Sequence, residues 1–188
     1  MKKVFVLAIA LMVSVMAHAQ FSVNVGYQMS SLNTEIGGLR ATQYYNGVSA
    51  VVDYNIPLVG PLSVAPGLGL SGSFTNKYSV KYREFGLIAP IDFNLCCSDS
   101  RDVRVSLFAG PTLYYGLFCK DISTNPPYNY YDTDNKRFEL FLGGGLWCDI
   151  RETIRVKVGY KFGLLNNSRE ANVTEKNNTL SISIGYLF

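Results

Sequence analysis

Beyond His18 the chain contains no histidine. Histidine-based acid–base or nucleophilic catalysis therefore has no residue to act through. Long apolar runs are also missing. Past residue 19 no stretch approaches the roughly 18 residues a spanning helix needs, and helical periodicity is absent. Charge of one sign is lacking. The chain has 17 basic and 14 acidic residues, and Lys2 and Lys3 lie in a leader, leaving 15 against 14. No basic patch calls for nucleic acid. Cysteines number four: Cys96, Cys97, Cys119 and Cys148. Their spacing fits no zinc pattern, and zinc sites usually add histidine. Adjacent Cys96 and Cys97 cannot easily pair. One of them bridging to Cys148 in an oxidising compartment is one expectation; free thiols at a strand end and a turn are the plainer one.

What is present begins with a leader. Lys2 and Lys3 precede an apolar run from Val4 to Met16, and Ala17-His18-Ala19 places small residues at the two positions a signal peptidase inspects. This pattern predicts a secretory signal over residues 1–19 and one mature domain over 20–188.

The mature chain alternates with period two, the mark of strands with two unlike faces. Residues 21–30 set Phe21, Val23, Val25, Tyr27 and Met29 against Ser22, Asn24, Gly26 and Gln28. The same alternation recurs over about 44–56, 62–75, 80–95, 103–118, 137–149 and 154–165, and in the final NTLSISIGYLF. The count is eight, and even. The links after the second, fourth and sixth segments are short, whereas those after the odd segments are mostly longer and more polar. This predicts an all-β, eight-stranded antiparallel up-and-down transmembrane β-barrel with short turns on one side and long loops on the other. A lipocalin-type soluble barrel, apolar inside, is the rival. It is disfavoured because the apolar positions carry almost no charge. One charge there would cost about 2–4 kcal/mol at mid-bilayer. Aromatics on the apolar face gather near both ends: Tyr54, Phe93, Tyr186 and Phe188 on one side, and Phe74, Phe85, Tyr115, Phe138 and Phe162 on the other. Two such girdles suit two membrane interfaces. If the last strand pairs with the first, no edge meets lipid. The terminal Phe188 then resembles the C-terminal signal by which outer-membrane proteins are handed to the barrel assembly machinery, which implies a bacterial outer membrane.

Four segments carry a resemblance: LIAPIDFNL (87–95), LFAGPTLYYGL (107–117), IRVKVGYKFGLLN (154–166) and the ending SISIGYLF. In these the chain resembles the small outer-membrane β-barrel domains of Bacteroidetes, called PorT-like, and its strand count is similar to that of OmpA-like barrels. The resemblance implies a barrel of unassigned role, with a secretion link for the name-giving member. No residue here matches a secretion role.

The polar face bears the charges. Asp53, Asp92 and Asp149 should lie near the short-turn end, with Arg104, Arg155 and Lys157 at similar depth and Glu84, Glu139 and Lys161 higher. Unpaired buried charge is costly, so these nine are expected to form a lumen charge network. An eight-stranded barrel is just wide enough for side chains to fill, which predicts a plugged interior. A narrow channel, or a transport- or secretion-associated barrel, is the alternative. Carboxylate pairs such as Asp92 with Asp149, or Glu84 with Glu139, are read as structural. No enzyme activity, cofactor or metal is expected. Gly67-Leu68-Gly69-Leu70-Ser71-Gly72 matches a dinucleotide fingerprint but lies inside a strand pattern with no helix after it. Its glycines, like Gly143-Gly144-Gly145, are expected to leave lumen room or let the barrel bend. The loop from Cys119 to Arg137, with Tyr128, Tyr130, Tyr131 and Asp132, is the candidate contact surface for an unidentified extracellular partner. Outer-membrane lipid is the other expected partner.

Overall fold

The computed structural model describes residues 20–77, 80–100, 102–123 and 126–188. The expected signal segment lies outside the described residues. Eight long strands form a ring: β1 (Gln20–Ile36), β2 (Leu39–Pro57), β3 (Leu62–Lys77), β4 (Val80–Asp99), β5 (Val103–Asp121), β7 (Phe138–Ile150), β8 (Ile154–Gly163) and β9 (Val173–Leu187). Each pairs antiparallel with its sequence neighbour, and β9 returns to β1 from Ser22↔Leu187 to Ile36↔Val173. A two-residue β6 (Tyr128–Asn129) adds to the end of β5 and leads into one helical turn, α1 (Tyr130–Thr133). The long loop holds no extra pair of spanning strands among the described residues.

The outward side chains measure the membrane band. On β1 they run Phe21, Val23, Val25, Tyr27 and Met29, then turn polar at Ser31, Asn33 and Glu35. On β9 they run polar through Thr174, Lys176 and Asn178, then apolar from Leu180 to Phe188. Five alternate apolar positions span nine residues, the length a tilted strand needs to cross a bilayer, roughly 9–11 residues. The strands continue past that band. The first expected long loop is therefore mostly strand: β1 and β2 stay paired out to Ile36↔Leu39. They turn at Gly37 and Gly38, whose φ of 58° and 87° is a region a side chain rarely tolerates. Sequence alternation stopped short because both faces become polar once the wall leaves lipid.

Burial is inverted relative to a water-soluble protein. Asp53, Asp92, Glu139, Asp149 and Arg155 are all at most 4% exposed, while Val25 is 57%, Ile184 60% and Leu68 64% exposed. Charges are inside and aliphatic side chains outside, an arrangement stable only when the outside is lipid.

Alternation slips at two bulges. Register shifts fall at Phe85/Gly86, opposite Leu117, and at Cys96/Ser98, where Cys97 is the extra residue. Consequently Leu117 and Phe118 both face out, and the phase resets so that Cys119 is buried. All four cysteines are free thiols. A bridge from Cys96 or Cys97 to Cys148 is absent because β5 lies between β4 and β7. Two strand spacings, about 9–10 Å, exceed the reach of a disulfide. Cys148 sits within β7, neither at a strand end nor in a turn.

Candidate functional site

The inward side chains lie in two layers. The lower layer lies toward the short turns. Arg155, on β8, donates from Nε and Nη2 to both oxygens of Asp149 on β7, at 2.6 and 2.8 Å. The two residues pair across the strands in register, so the fork needs no unusual backbone. The Arg155 guanidinium also lies 3.6 Å from the centre of the Trp147 ring. Beside it Lys157 Nζ donates to Asp92 Oδ2 and sits 4.3 Å from the Phe108 ring centre. Asp53 accepts from Asn24 Nδ2 at 2.8 Å, and the same amide donates to Ser22 Oγ at 3.0 Å. Each cation has one carboxylate and one aromatic face, which offsets the cost of removing it from water.

The upper layer uses carboxylates with neutral donors. Glu84 accepts three phenols: Tyr82 at 2.8 Å, Tyr114 at 2.9 Å and Tyr131 at 2.5 Å. Glu139 accepts amide hydrogens from Asn167 at 3.1 Å and from Asn177 at 2.9 and 3.1 Å. Between these groups remains a polar cavity of about 60 Å³, lined among others by Ser30, Tyr45, Glu84, Glu139 and Lys161. Lys161 makes no ion pair among the described residues.

Two expectations are corrected. Arg104 faces inward in register with Asp149, but its guanidinium turns toward the rim. There it meets Asp99 at 3.2 Å and Glu152 at 3.6 Å, acids of the short turns that expose over half their side chains. It belongs to the mouth and not to the buried network. Tyr131 is not a surface contact. It is 1% exposed, since α1 folds back over the barrel end and drops the ring onto Glu84. Burial, with the Glu84 carboxylate beside it, pushes the Tyr131 phenol above its ordinary range and keeps it a donor. Gly116 makes room: a Cβ there would overlap the phenol. The other three candidate residues stay nearer the surface. Tyr128 is 40% exposed and bonds to Thr133 and Asp134, Tyr130 packs edge-on against Tyr128, and Asp132 pairs with Arg137 at 3.3 Å.

The aromatic partners of the cations were not foreseen. Strand parity held the signal, because Phe108 and Trp147 share a face with Ser106 and Asp149. The glycines of the expected lumen wall do leave room there. A Cβ at Gly145 or Gly159 would overlap the Phe108 ring, and one at Gly67 the Asp53 carboxylate.

The family model of the outer membrane protein beta-barrel domain matches residues 4–188. The chain belongs to this family. As an outer-membrane β-barrel it is similar in fold to Neisserial surface protein A, with a TM-score of 0.51 and 12% identity over 87% of this chain and 96% of that one. It also aligns with Ail, the attachment invasion locus protein of Yersinia pestis, at 13% identity over 90% and 99% of the two chains, TM-score 0.49. The N-terminal β-barrel domain of Pseudomonas aeruginosa OprF aligns at 12% identity over 87% and 97%, TM-score 0.43. At such identities the likeness concerns the fold alone. No curated protein matches the barrel in sequence.

Proposed function

We propose that this outer-membrane barrel is a non-enzymatic structural protein with a surface-interaction role, and that its lumen is closed by its own side chains. The observation that supports closure is the doubled seal. Asp149–Arg155 and Asp92–Lys157 fill the lower lumen, and Tyr131 on Glu84 caps the upper one. A solute would have to break both. The surface role rests on the outer loop, which presents Tyr128 and Asp132 above the barrel. An exposed tyrosine among hydrogen-bonding neighbours suits protein contact. The paired carboxylates are engaged by cations, phenols or amides, which supports a structural role for them.

Purified protein in a planar bilayer should show no steady conductance, and Tyr131→Ala should stay closed because the lower layer remains. Steady conductance of the wild-type protein would refute closure. It would favour the second reading, a narrow channel or a transport- or secretion-associated barrel, to which the 60 Å³ cavity lends its support. Within the family, the segments at 87–95, 107–117 and 154–166 and the SISIGYLF ending support a place among PorT-like barrels of Bacteroidetes. Removal of residues 1–19 on export is part of the same proposal, and N-terminal sequencing of the membrane form should begin at Gln20. Handing over to the assembly machinery through Phe188 completes it.

A further inference from the structure

The outer rim carries a second polar site. The segment before β7 and the loop after β8 are tied together: Asn135 bridges Ser168, Lys136 N–H donates to the Asn167 carbonyl at 2.8 Å, and Arg169 N–H to that of Asp134 at 2.8 Å. This frame encloses an open pocket of about 480 Å³ lined by Lys136, Arg137, Phe138, Leu165, Asn166 and Arg169. Three cations and two apolar side chains thus share one pocket. Phe138 and Leu165 are 47% and 41% exposed, and Phe138 is part of the outer aromatic girdle. The pocket floor is therefore continuous with the lipid-facing band.

The charge of this pocket is under-compensated. Arg137 has a carboxylate partner, Asp132, and otherwise caps the Leu117 carbonyl at 2.9 Å. Lys136 Nζ donates to a backbone carbonyl, that of Asn166, at 3.1 Å. Arg169 donates to the carbonyls of Tyr131 and Asp132 at 3.0 and 3.5 Å. Neither Lys136 nor Arg169 has a carboxylate within ion-pair distance among the described residues. Both keep donors free, since an ammonium carries three and a guanidinium five.

Cations at the membrane's outer edge, with apolar side chains directly beneath, match one ligand chemistry: a phosphate headgroup above an acyl chain. We infer that this pocket holds the phosphate of a phosphorylated lipid of the outer leaflet, its chain lying on Phe138 and Leu165. Lys136 and Arg169 bind the phosphate oxygens; Arg137 positions the rim through its own carbonyl contacts.

The test uses the full-length membrane form, reconstituted in nanodiscs of neutral phospholipid doped with diphosphorylated lipid A or with the same lipid stripped of its phosphates. Lipid retained through detergent extraction is quantified by mass spectrometry. The diphosphorylated form should be retained preferentially. Lys136→Gln should weaken retention about fivefold, and Lys136→Gln with Arg169→Gln more than that. Heat-modified gel mobility reports whether each variant is folded, and the comparison of the two lipids on wild-type protein stands without any variant. Equal retention of both lipids would overturn the inference. So would unchanged retention in a folded double variant, or competition by inorganic phosphate as strong as by the lipid, which would make this an anion site with no use for the acyl chain.

Discussion

The two halves of the lumen hold their carboxylates by different means. Below, Asp149 and Asp92 each face a cation, and each cation is backed by an aromatic ring. Above, Glu84 and Glu139 are held by phenols and amides, with Lys161 as the cation lining the same cavity. The lower half centres on two matched ion pairs, with Asp53 held by the Asn24 amide. The upper half is a set of donors around two acceptors, leaves space, and takes two donors from outside the strands, Tyr131 from α1 and Asn167 from the loop after β8. The contrast is one of construction: the lower layer is built wholly from strands, the upper one partly from α1 and the loop after β8.

The sharpest way to break the contrast is Arg155→Met. It leaves Asp149 buried without its cation and should cost about 3–5 kcal/mol in urea unfolding from detergent or vesicles. Adding Asp149→Leu should recover most of that loss, because a buried pair replaced as a unit is often neutral. The matching change above is Glu84→Gln. It preserves an acceptor oxygen for the phenols but turns charge-assisted bonds into neutral ones, so a loss of about 1–2 kcal/mol is expected in the same assay. If the upper change proved the costlier, the two halves would not differ as described. The smallest effect should come from the short-turn rim. Arg151 and Glu152 hold φ of 51° and 52° between β7 and β8. Glu152→Gly should relieve that strain, stabilising by about 0.5–1 kcal/mol, against the loss of only an exposed contact to Arg104.

How much of this was legible in the sequence follows from parity. Wherever lipid lies on one side and the lumen on the other, the two faces differ chemically, and alternation placed Asp53, Asp92, Asp149, Arg155 and Lys157 inside. It lost its power in three situations. Above the bilayer both faces of β1 and β2 meet water, so the strands run on with no pattern. At Leu117 and Cys97 an inserted residue shifts the phase, and only the adjacency of large or reactive side chains marks it. In the long loop no periodicity exists. Tyr131 sits among surface residues in the sequence, although the space at Gly116 that receives it lies fifteen residues upstream on β5. Arg104 was misplaced for a related reason: register sets the height of a backbone, while a long side chain chooses among the acids it can reach.

The hairpin at Gly37 and Gly38 has a practical corollary. Residues 31–36 are hydrogen-bonded on both sides, to β2 and to β9. They carry the tip roughly 20 Å along the strand beyond the last lipid-facing residue, Met29. Such a mast is braced from both sides. A foreign epitope spliced between the two glycines would ride at a constant height above the cell envelope, making this barrel a natural carrier for display.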